Sequence, residues 1–408
     1  MDTITKKNRR ALELKFNRFI SYIIISLLIL GFPLTAALST ALGIDTRMAS
    51  IGFRLAVDLI SILSVAYVIA VSGRIRINGA ILIFLVIYFI RLVFDQICNN
   101  EFASTAMVYF LAFVAIPTVS VMATVSNEFH EDELARILFW PSIMFIVIYY
   151  YLLQSGLIFL KIDTRASLES LNPISLGHAA ATVAIIGFYN ASSSSKLSTR
   201  IYSLCMIAAA IPIMASSGSR GPLIAFAFAV VFLGFSKFKR FLYLIPIIAF
   251  GVYFVDPDAL VMERFLSTFS SLDRSSLERQ EVQKLAWNAF IENPIVGRHF
   301  IDTSFNSIAT YPHNVFLETA MALGILGLVV LIVILFSVGR SVLIGVGKKH
   351  PLVVAFFIQI FIGAQFSGSI WLNEKIFSLS VLIIALGGNL LIKKRVERQI
   401  ISNVWKQN

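Results

Sequence analysis

The chain alternates long apolar stretches with short polar ones from its first residues to its last. Many of the apolar stretches have about 20 residues, the length that a helix rising 1.5 Å per residue needs to cross a ~30 Å hydrocarbon layer. Only helices satisfy the backbone polar groups of such segments in lipid, so the pattern predicts an all-α, polytopic membrane protein with about twelve transmembrane helices. The expected spans are residues 18–38, 51–72, 79–98, 105–125, 137–157, 172–191, 201–215, 221–235, 241–255, 313–338, 352–371 and 376–392.

Composition supports this class, and charge adds an orientation. Hydrophobic residues make up 58% of the chain and charged residues 14%, whereas soluble proteins are roughly half apolar and one quarter charged. Most Lys and Arg residues fall in alternate connections, which predicts that both termini are cytoplasmic. The net charge of +11 suits an anionic lipid leaflet, and no nucleic acid partner is expected. We interpret residues 1–408 as a single integral membrane domain.

Residues 256–312 form a long outward-facing connection between the ninth and tenth spans. A connection of this length in a compact protein is usually functional or disordered. Its apolar residues recur at helical spacing at Val282, Leu285, Ala286, Ala289 and Phe290. The pattern predicts an amphipathic helix that Asn293 and Pro294 end, and residues 259–269 predict a second one. Both helices are expected on the outer surface of the bilayer or over the helix bundle.

Ionisable side chains within the apolar spans gather near the outer side. They are Arg54 with Asp58, Arg91 with Asp95, His178, Arg220, His313 and Glu318. Because an unpaired charge in hydrocarbon costs several kcal/mol, this distribution predicts a polar cavity that opens outward. Arg54 and Asp58, like Arg91 and Asp95, are interpreted first as structural ion pairs. Helical spacing gives His313 the same face as Ala320, Gly324 and Gly327, so we expect it to point into the bundle.

Arginines on the outer side suggest an anionic ligand. They are Arg165, Arg220, Arg264, Arg274, Arg279 and Arg298. The planar guanidinium binds two phosphate oxygens and stays charged, while a His near its ordinary pKa of ~6.5 accepts a proton at neutral pH. Arginines beside His313 would therefore suit transfer from a diphosphate-activated donor to a hydroxyl group. The chain has no Cys and His cluster with zinc spacing, and we expect no metal and no other cofactor.

Four motifs together identify a family. SGSRGPLIAF surrounds Arg220, LERQEVQKLAWNAFIENPIVG surrounds Arg279, PHNVFLETAMALGILGL begins next to His313, and LNPISLGHAA surrounds Asn172. In this order, and with the long outer loop, they resemble the O-antigen ligase and polymerase superfamily of bacterial envelope glycosyltransferases. The resemblance covers roughly residues 160–335. After Asn-Pro the family usually has Gly-x-Gly, whereas Gly297 is followed here by Arg298 and His299.

The resemblance implies a metal-independent glycosyltransferase of the GT-C type with an undecaprenyl-diphosphate-linked glycan as donor. The residues expected to be catalytic are His313, Arg220 and Arg279. Substrate contacts are expected from Arg165, Asn172, His178, Arg298, Asn314, Glu318 and Arg91. Two interpretations stay open, because Arg279 also suits the wet face of an amphipathic helix and Glu318 also suits a hydrogen bond to a neighbouring helix.

The acceptor stays open as well. An O-antigen ligase, which joins O-antigen to lipid A-core, is the first expectation, and an O-antigen or exopolysaccharide polymerase, which uses a lipid-linked glycan acceptor, is the alternative. A lipid-linked glycan flippase is the alternative of another class, since it would bind a similar diphosphate but would not need His313. In each case the expected location is the bacterial inner membrane, with the lipid bilayer around the bundle and the active site facing the periplasm.

Overall fold

The structure, a computed structural model, describes residues 15–72, 75, 77–98, 100–125, 129–160, 166–168, 171–236, 274–301 and 311–407. These residues are almost entirely helical, which confirms the all-α prediction. A short antiparallel pair joins Phe159–Leu160 (β1) to Ala166–Ser167 (β2). In chain order the helices are α1 (Lys15–Ala41), α2 (Thr46–Ser72), α3 (Gly79–Ile97), α4 (Ala103–Thr124), α5 (Glu131–Gln154), α6 (Pro173–Ser193), α7 (Leu197–Ser216), α8 (Arg220–Ser236), α9 (Arg274–Glu292), α10 (Val315–Ser341), α11 (Pro351–Gly363) and α12 (Glu374–Gln407).

The predicted spans correspond to helices wherever the structure describes them. Nine helices of the described residues are long and apolar enough to cross a membrane, and α8 and α11 are shorter apolar helices. The ninth predicted span, 241–255, and the second predicted amphipathic helix, 259–269, lie outside the described residues. The first amphipathic helix is confirmed as α9, which ends at Glu292 directly before Asn293 and Pro294.

Two predicted boundaries are wrong in the last third of the chain. The eleventh span was expected to reach residue 371, but α11 ends at Gly363 and a loop with a short 3-10 turn at Ile370–Leu372 follows. The last span was expected to end at residue 392, but α12 continues to Gln407. Residues 393–399 of this last part are exposed and include Lys393, Lys394, Arg395 and Arg398, so hydropathy alone did not include it.

Helical spacing predicted that His313 lies on one face of the tenth helix, but His313 lies outside that helix. Helix α10 begins at Val315, and the side chain of Asn314 caps its first turn. The backbone of His313 has φ 53°, a left-handed conformation that is uncommon for a residue with a β-carbon. The expected face through Gly324 is also interrupted, because Gly324 has non-helical dihedral angles (φ 63°, ψ −155°).

Helix α6 lies at the centre of the bundle. It packs against α5, α7, α8 and α11, and 72% of the residues in its most apolar stretch are buried. Small residues allow this close packing, since a β-carbon on Gly187 would lie 2.9 Å from the Ile207 side chain of α7. In helix α2, by contrast, 22% of the residues in the most apolar stretch are buried. Its exposed leucines and isoleucines, among them Leu55, Leu59 and Ile62, are where lipid is expected.

The end of the bundle where α5 begins holds a buried carboxylate, Glu131. It accepts hydrogen bonds from the Tyr189 hydroxyl at 2.9 Å and the Leu352 backbone N–H at 3.0 Å. The predicted span 137–157 left Glu131 outside its helix. Polar side chains are therefore buried at both ends of the bundle, but the predicted site residues that the structure describes lie at the other end.

Candidate active site

Helix α9 brings Arg279 alongside the start of α10. Ala286 and Ala289 of α9 pack with Met321 of α10 in a small buried cluster. Arg279 lies seven residues before Ala286, and Val315 lies six residues before Met321, so both are about 10 Å from this contact at 1.5 Å per residue. The two helices run in the same direction where they meet at Met321. Arg279 and the residues just before Val315 therefore lie at the same level along the bundle.

The segment after α9 crosses α10 at the break around Gly324. In an unbroken helix the Ile325 N–H would bond to the Met321 carbonyl oxygen. Here the Ile325 N–H donates to the Pro294 carbonyl oxygen at 2.8 Å, and the Met321 carbonyl oxygen accepts from the Arg298 N–H at 2.8 Å. The crossing segment thus satisfies both backbone groups that the break exposes, which a membrane helix requires.

Two glycines make this crossing possible. Gly297 and Gly324 both have positive φ, 74° and 63°. A β-carbon on Gly297 would lie 2.4 Å from the Ala322 carbonyl carbon, and one on Gly324 would lie 2.4 Å from the Ile295 carbonyl oxygen. His299 stands where the family's Gly-x-Gly has its second glycine. The turn forms with Gly297 and Gly324, so that second glycine is not needed for it.

Arg91 and Asp95 of α3 fix the same segment from the other side. The predicted ion pair forms, with 2.8 Å between the Arg91 guanidinium and the Asp95 carboxylate. Arg91 also donates to the carbonyl oxygens of Gly297 and Arg298, and the Asp95 carboxylate accepts from the Phe300 N–H at 3.0 Å. These contacts give Arg91 a structural role, because its N–H groups donate to the backbone of the segment that follows α9.

His313 lies in a half-buried position beside an aromatic ring and a cation. The ring centroids of Tyr311 and His313 are 4.6 Å apart. Burial, and then the positive charge of Arg279, lower the pKa of His313 to about 4. Within the described part of the chain, the buried Nδ1 atom of His313 has no hydrogen-bond partner. The structure therefore places a neutral imidazole, with a buried nitrogen that has no partner among the described residues, near the Arg279 guanidinium.

Asn314 and Glu318 have structural contacts. The Asn314 side-chain oxygen accepts from the N–H groups of Phe316 and Leu317, at 3.0 and 3.1 Å, as a helix N-cap does. Glu318 is fully buried and accepts from the Tyr88 hydroxyl at 3.1 Å, the Ile370 N–H at 3.0 Å and the Ser369 hydroxyl. Of the two interpretations of Glu318, the hydrogen bond to a neighbouring element is the one that these contacts favour.

Replacing Glu318 by alanine is expected to destabilise the protein. The Tyr88 hydroxyl and the Ile370 N–H would lose their acceptor in a dry environment, at roughly 1–3 kcal/mol for each group. We expect a lower melting temperature of the purified protein in detergent, and a smaller loss for Glu318→Gln, which keeps one acceptor oxygen. The matched control is Glu397→Ala, because Glu397 of α12 is exposed and its ion pair among the described residues is a long one, with Lys393 at 3.9 Å. Equal melting temperatures for Glu318→Ala and this control would contradict the interpretation.

Arg220 begins α8 and is half-buried at the same end of the bundle. Its neighbour Gly221 faces Phe366, whose β-carbon would lie 3.3 Å from a β-carbon on this glycine. Phe366 belongs to the loop 364–373, which also carries the Ser369 and Ile370 donors of Glu318. Helix α8 packs against α11, and the Phe361 ring of α11 lies 6.0 Å from the Phe316 ring of α10. The end of α11 and this loop thus connect the start of α8 to the start of α10.

Asn172 and His178 line a different space, a cavity of about 400 Å³ between α1, α2, α4, α6 and α11. Asn172 caps α6 by accepting from the Ser175 N–H at 2.8 Å. The His178 ring is in close contact with Gly363, because a β-carbon there would lie 2.5 Å from the ring. The structure therefore divides the sequence-predicted residues, with Arg279 and His313 in one place and Asn172 and His178 in another.

The remaining site predictions differ in outcome. Arg298 is exposed and pairs with Glu292, so it has a protein partner. Arg165, Arg264 and the side chain of Arg274 lie outside the described residues. The predicted Arg54–Asp58 ion pair is wrong, because the Arg54 guanidinium lies over Phe113, 4.3 Å from the ring centroid, and the buried Asp58 Oδ1 atom has no hydrogen-bond partner among the described residues.

Residues 204–332 match the family model described as O-antigen ligase. This match confirms the resemblance to the O-antigen ligase and polymerase superfamily. The matched segment includes Arg220, Arg279, Arg298, His313, Asn314 and Glu318. No curated protein matches the chain.

The matched segment begins after α6, so Arg91, Asn172 and His178 lie outside the match. Sequence reasoning also missed Tyr311, whose ring contacts His313, and Lys375, which lines the cavity. Tyr311 lies two residues from His313, and its aromatic character next to the motif was the available signal. Lys375 follows a loop that the sequence presented largely as the end of the eleventh span, and no signal in the chain marked Lys375 as a cavity residue. Among the described residues, no three His, Cys, Asp or Glu side chains cluster as metal ligands would.

Proposed function

We propose that this protein transfers a glycan from an undecaprenyl-diphosphate donor to a sugar hydroxyl of an acceptor. His313 accepts the proton of the acceptor hydroxyl, and the oxygen attacks the anomeric carbon of the donor sugar. The bond from that carbon to the diphosphate oxygen breaks, and the diphosphate leaves with the bonding electron pair. Attack from the face opposite the leaving group inverts the anomeric carbon. Arg220 and Arg279 bind the diphosphate and balance its growing charge without a metal ion.

The observation that carries this proposal is the neutral imidazole of His313 next to the Arg279 guanidinium. A general base must be unprotonated before the reaction, and a pKa of about 4 ensures this at neutral pH. Such a low pKa would make a weak base, but a bound diphosphate would oppose the positive charge of Arg279. Donor binding is therefore expected to raise the pKa of His313 and increase its basicity when the acceptor hydroxyl is present.

The location of the site supports an active site on one side of the membrane. His313, Arg279 and Arg220 lie at the end of the bundle where α8 and α10 begin. The opposite end of α10 carries Arg340, and Lys348 and Lys349 follow it in the chain. Because positive residues favour the cytoplasmic side, we propose that the site faces the periplasm of a bacterial inner membrane and that both termini are cytoplasmic.

We propose an O-antigen ligase acting on lipid A-core as the specific function, with a polymerase as the alternative. Deleting the gene in its host and separating lipopolysaccharide on a gel tests this choice. The expected result is bare core together with accumulated lipid-linked polymer. Core with a single repeat would instead show a polymerase, and an unchanged ladder would contradict both functions for this glycan.

A further inference from the structure

The cavity that Asn172 and His178 line has two chemically different walls. On one side are apolar side chains of α1, α2 and α4, among them Leu28, Phe53 and Phe113. On the other side, α6, α11 and the loop 364–373 add polar side chains to apolar ones such as Ile174 and Ile360, and the polar ones are Asn172, Ser175, His178, Thr182, Gln359, Ser367 and Asn373. Its volume of about 400 Å³ is in the range of small-molecule sites. An occupant with a polar head and an apolar chain would match both walls.

The charged side chains that line this cavity are Arg54 and Lys375, and within the described residues no carboxylate joins them. Arg54 lies among the rings of Phe32, Tyr109 and Phe113, with centroids 5.5, 5.4 and 4.3 Å from its guanidinium carbon. These contacts hold the side chain without neutralising its charge. Cations within membrane helices are costly unless an anion compensates them, so the arrangement favours an anionic occupant.

One loop separates this cavity from the candidate active site. Ala364, Gly368 and Asn373 line the cavity on one side and the surroundings of Glu318 on the other. Between Gly368 and Asn373, Ser369 and Ile370 donate hydrogen bonds to Glu318. Glu318 lies in the first turn of α10, five residues after His313. Tyr109, which contacts Arg54, also stacks on Trp371 of this loop, with ring centroids 5.8 Å apart. A head group in the cavity would therefore lie one loop away from His313.

We propose that the cavity binds the phosphate-bearing lipid of the acceptor, with Arg54 and Lys375 on its phosphate and the walls of α1, α2 and α4 on its chain. This assignment rests on the proposed function, because it treats the Arg279 site as the place of the donor. Two acceptors share this chemistry, the phosphorylated lipid A of a ligase acceptor and the polyprenyl diphosphate of a polymerase acceptor. In both, the lipid phosphate would position a sugar hydroxyl near His313.

A binding measurement tests the cavity without relying on transfer. The full-length protein carries Arg279→Gln to weaken the donor site, and its affinity for lipid A, dephosphorylated lipid A and undecaprenyl diphosphate is measured in detergent. Adding Arg54→Gln or Lys375→Gln is expected to weaken binding of a phosphorylated lipid by about tenfold each, as the loss of a charge-assisted hydrogen bond does. Arg47→Gln and Lys393→Gln are the matched controls, because both residues are exposed on the same two helices, and they should leave affinity unchanged.

The remaining outcomes separate the sources and the failures. Dependence on Arg54 and Lys375 with lipid A supports a ligase acceptor, and the same dependence with undecaprenyl diphosphate supports a polymerase acceptor. Equal affinity for dephosphorylated lipid A would overturn the proposal, and so would displacement of the lipid by inorganic phosphate alone. If Arg54→Gln does not fold, Arg54→Lys keeps the charge and should retain most of the affinity. Absence of glycan transfer by the unsubstituted protein, with lipid binding that still depends on Arg54 and Lys375, would refute the proposed function and leave the binding site in the cavity standing.

Discussion

Replacing His313 by alanine is expected to lower the rate of glycan transfer by about 10²–10⁴-fold, the range typical for loss of a general base. The substitution removes the imidazole nitrogen that has no partner among the described residues and that lies beside Arg279. Binding of the lipid-linked donor should change much less, since we assign the diphosphate to Arg220 and Arg279. The measurement is single-turnover transfer by purified protein in detergent or nanodiscs, with donor binding measured separately.

His130→Ala is the matched control for this substitution. His130 is exposed and precedes α5 at the opposite end of the bundle, so its loss should leave transfer unchanged. The melting temperature of His313→Ala should stay near that of the unsubstituted protein, because the imidazole has no hydrogen bond within the described residues to lose. Transfer within a few-fold of the normal rate in His313→Ala would exclude the residue as the base.

The pH profile distinguishes a base from a residue that only shapes the site. Because His313 with a pKa of about 4 is neutral above that pH, kcat/KM should hold its value from neutral pH down to about pH 5. It should then fall as protonation removes the base. In Arg279→Gln the positive charge that disfavours protonation is gone, so the fall should move to higher pH. It should stay below the ordinary His value of ~6.5, since burial still lowers the pKa.

The bundle was predictable from the sequence because lipid imposes a length and an apolar composition on each span. The same rule failed at the end of α11, where Phe366, Ile370 and Trp371 extend the apolar run beyond the helix. A non-helical backbone at this level needs partners, and Glu318 supplies one by accepting the Ile370 N–H. The sequence shows Glu318 as a charge in an apolar span but contains no sign of this loop.

The candidate site was predictable in its residue types more than in its arrangement. The motifs around Arg220, Arg279 and His313 resemble those of the O-antigen ligase and polymerase superfamily, and the structure places Arg279 near His313. The expected Arg54–Asp58 pair was wrong because aromatic rings from α1 and α4 occupy the space around Arg54. Spacing along one helix describes neighbours on that helix alone, and the rings that decided this case come from two other helices.

Replacing Gly324 by alanine is expected to disrupt the docking of α9 on α10. The dihedral angles of Gly324 lie in a region that is open essentially to glycine alone, and a β-carbon would lie 2.4 Å from the Ile295 carbonyl oxygen. Backbone strain and overpacking together should cost about 2–5 kcal/mol. The crossing would then have to separate, and Arg279 would lose its position beside His313. Both the melting temperature and the transfer rate should therefore fall.

Gly339→Ala is the matched control for this prediction, since Gly339 lies further along α10 and a β-carbon there would meet nothing within 4 Å. Alanine at this exposed helical position should leave transfer unchanged and raise stability by roughly 0.5–1 kcal/mol. Gly297→Ala should reproduce the loss of Gly324→Ala, because its β-carbon would lie 2.4 Å from the Ala322 carbonyl carbon on the other side of the crossing. If Gly324→Ala behaved like Gly339→Ala, the crossing would not be what holds Arg279 at His313. The two glycines then would have no role in catalysis, and the position of α9 would have to depend on the Arg91 and Asp95 contacts and on the packing of Ala286 and Ala289 against Met321.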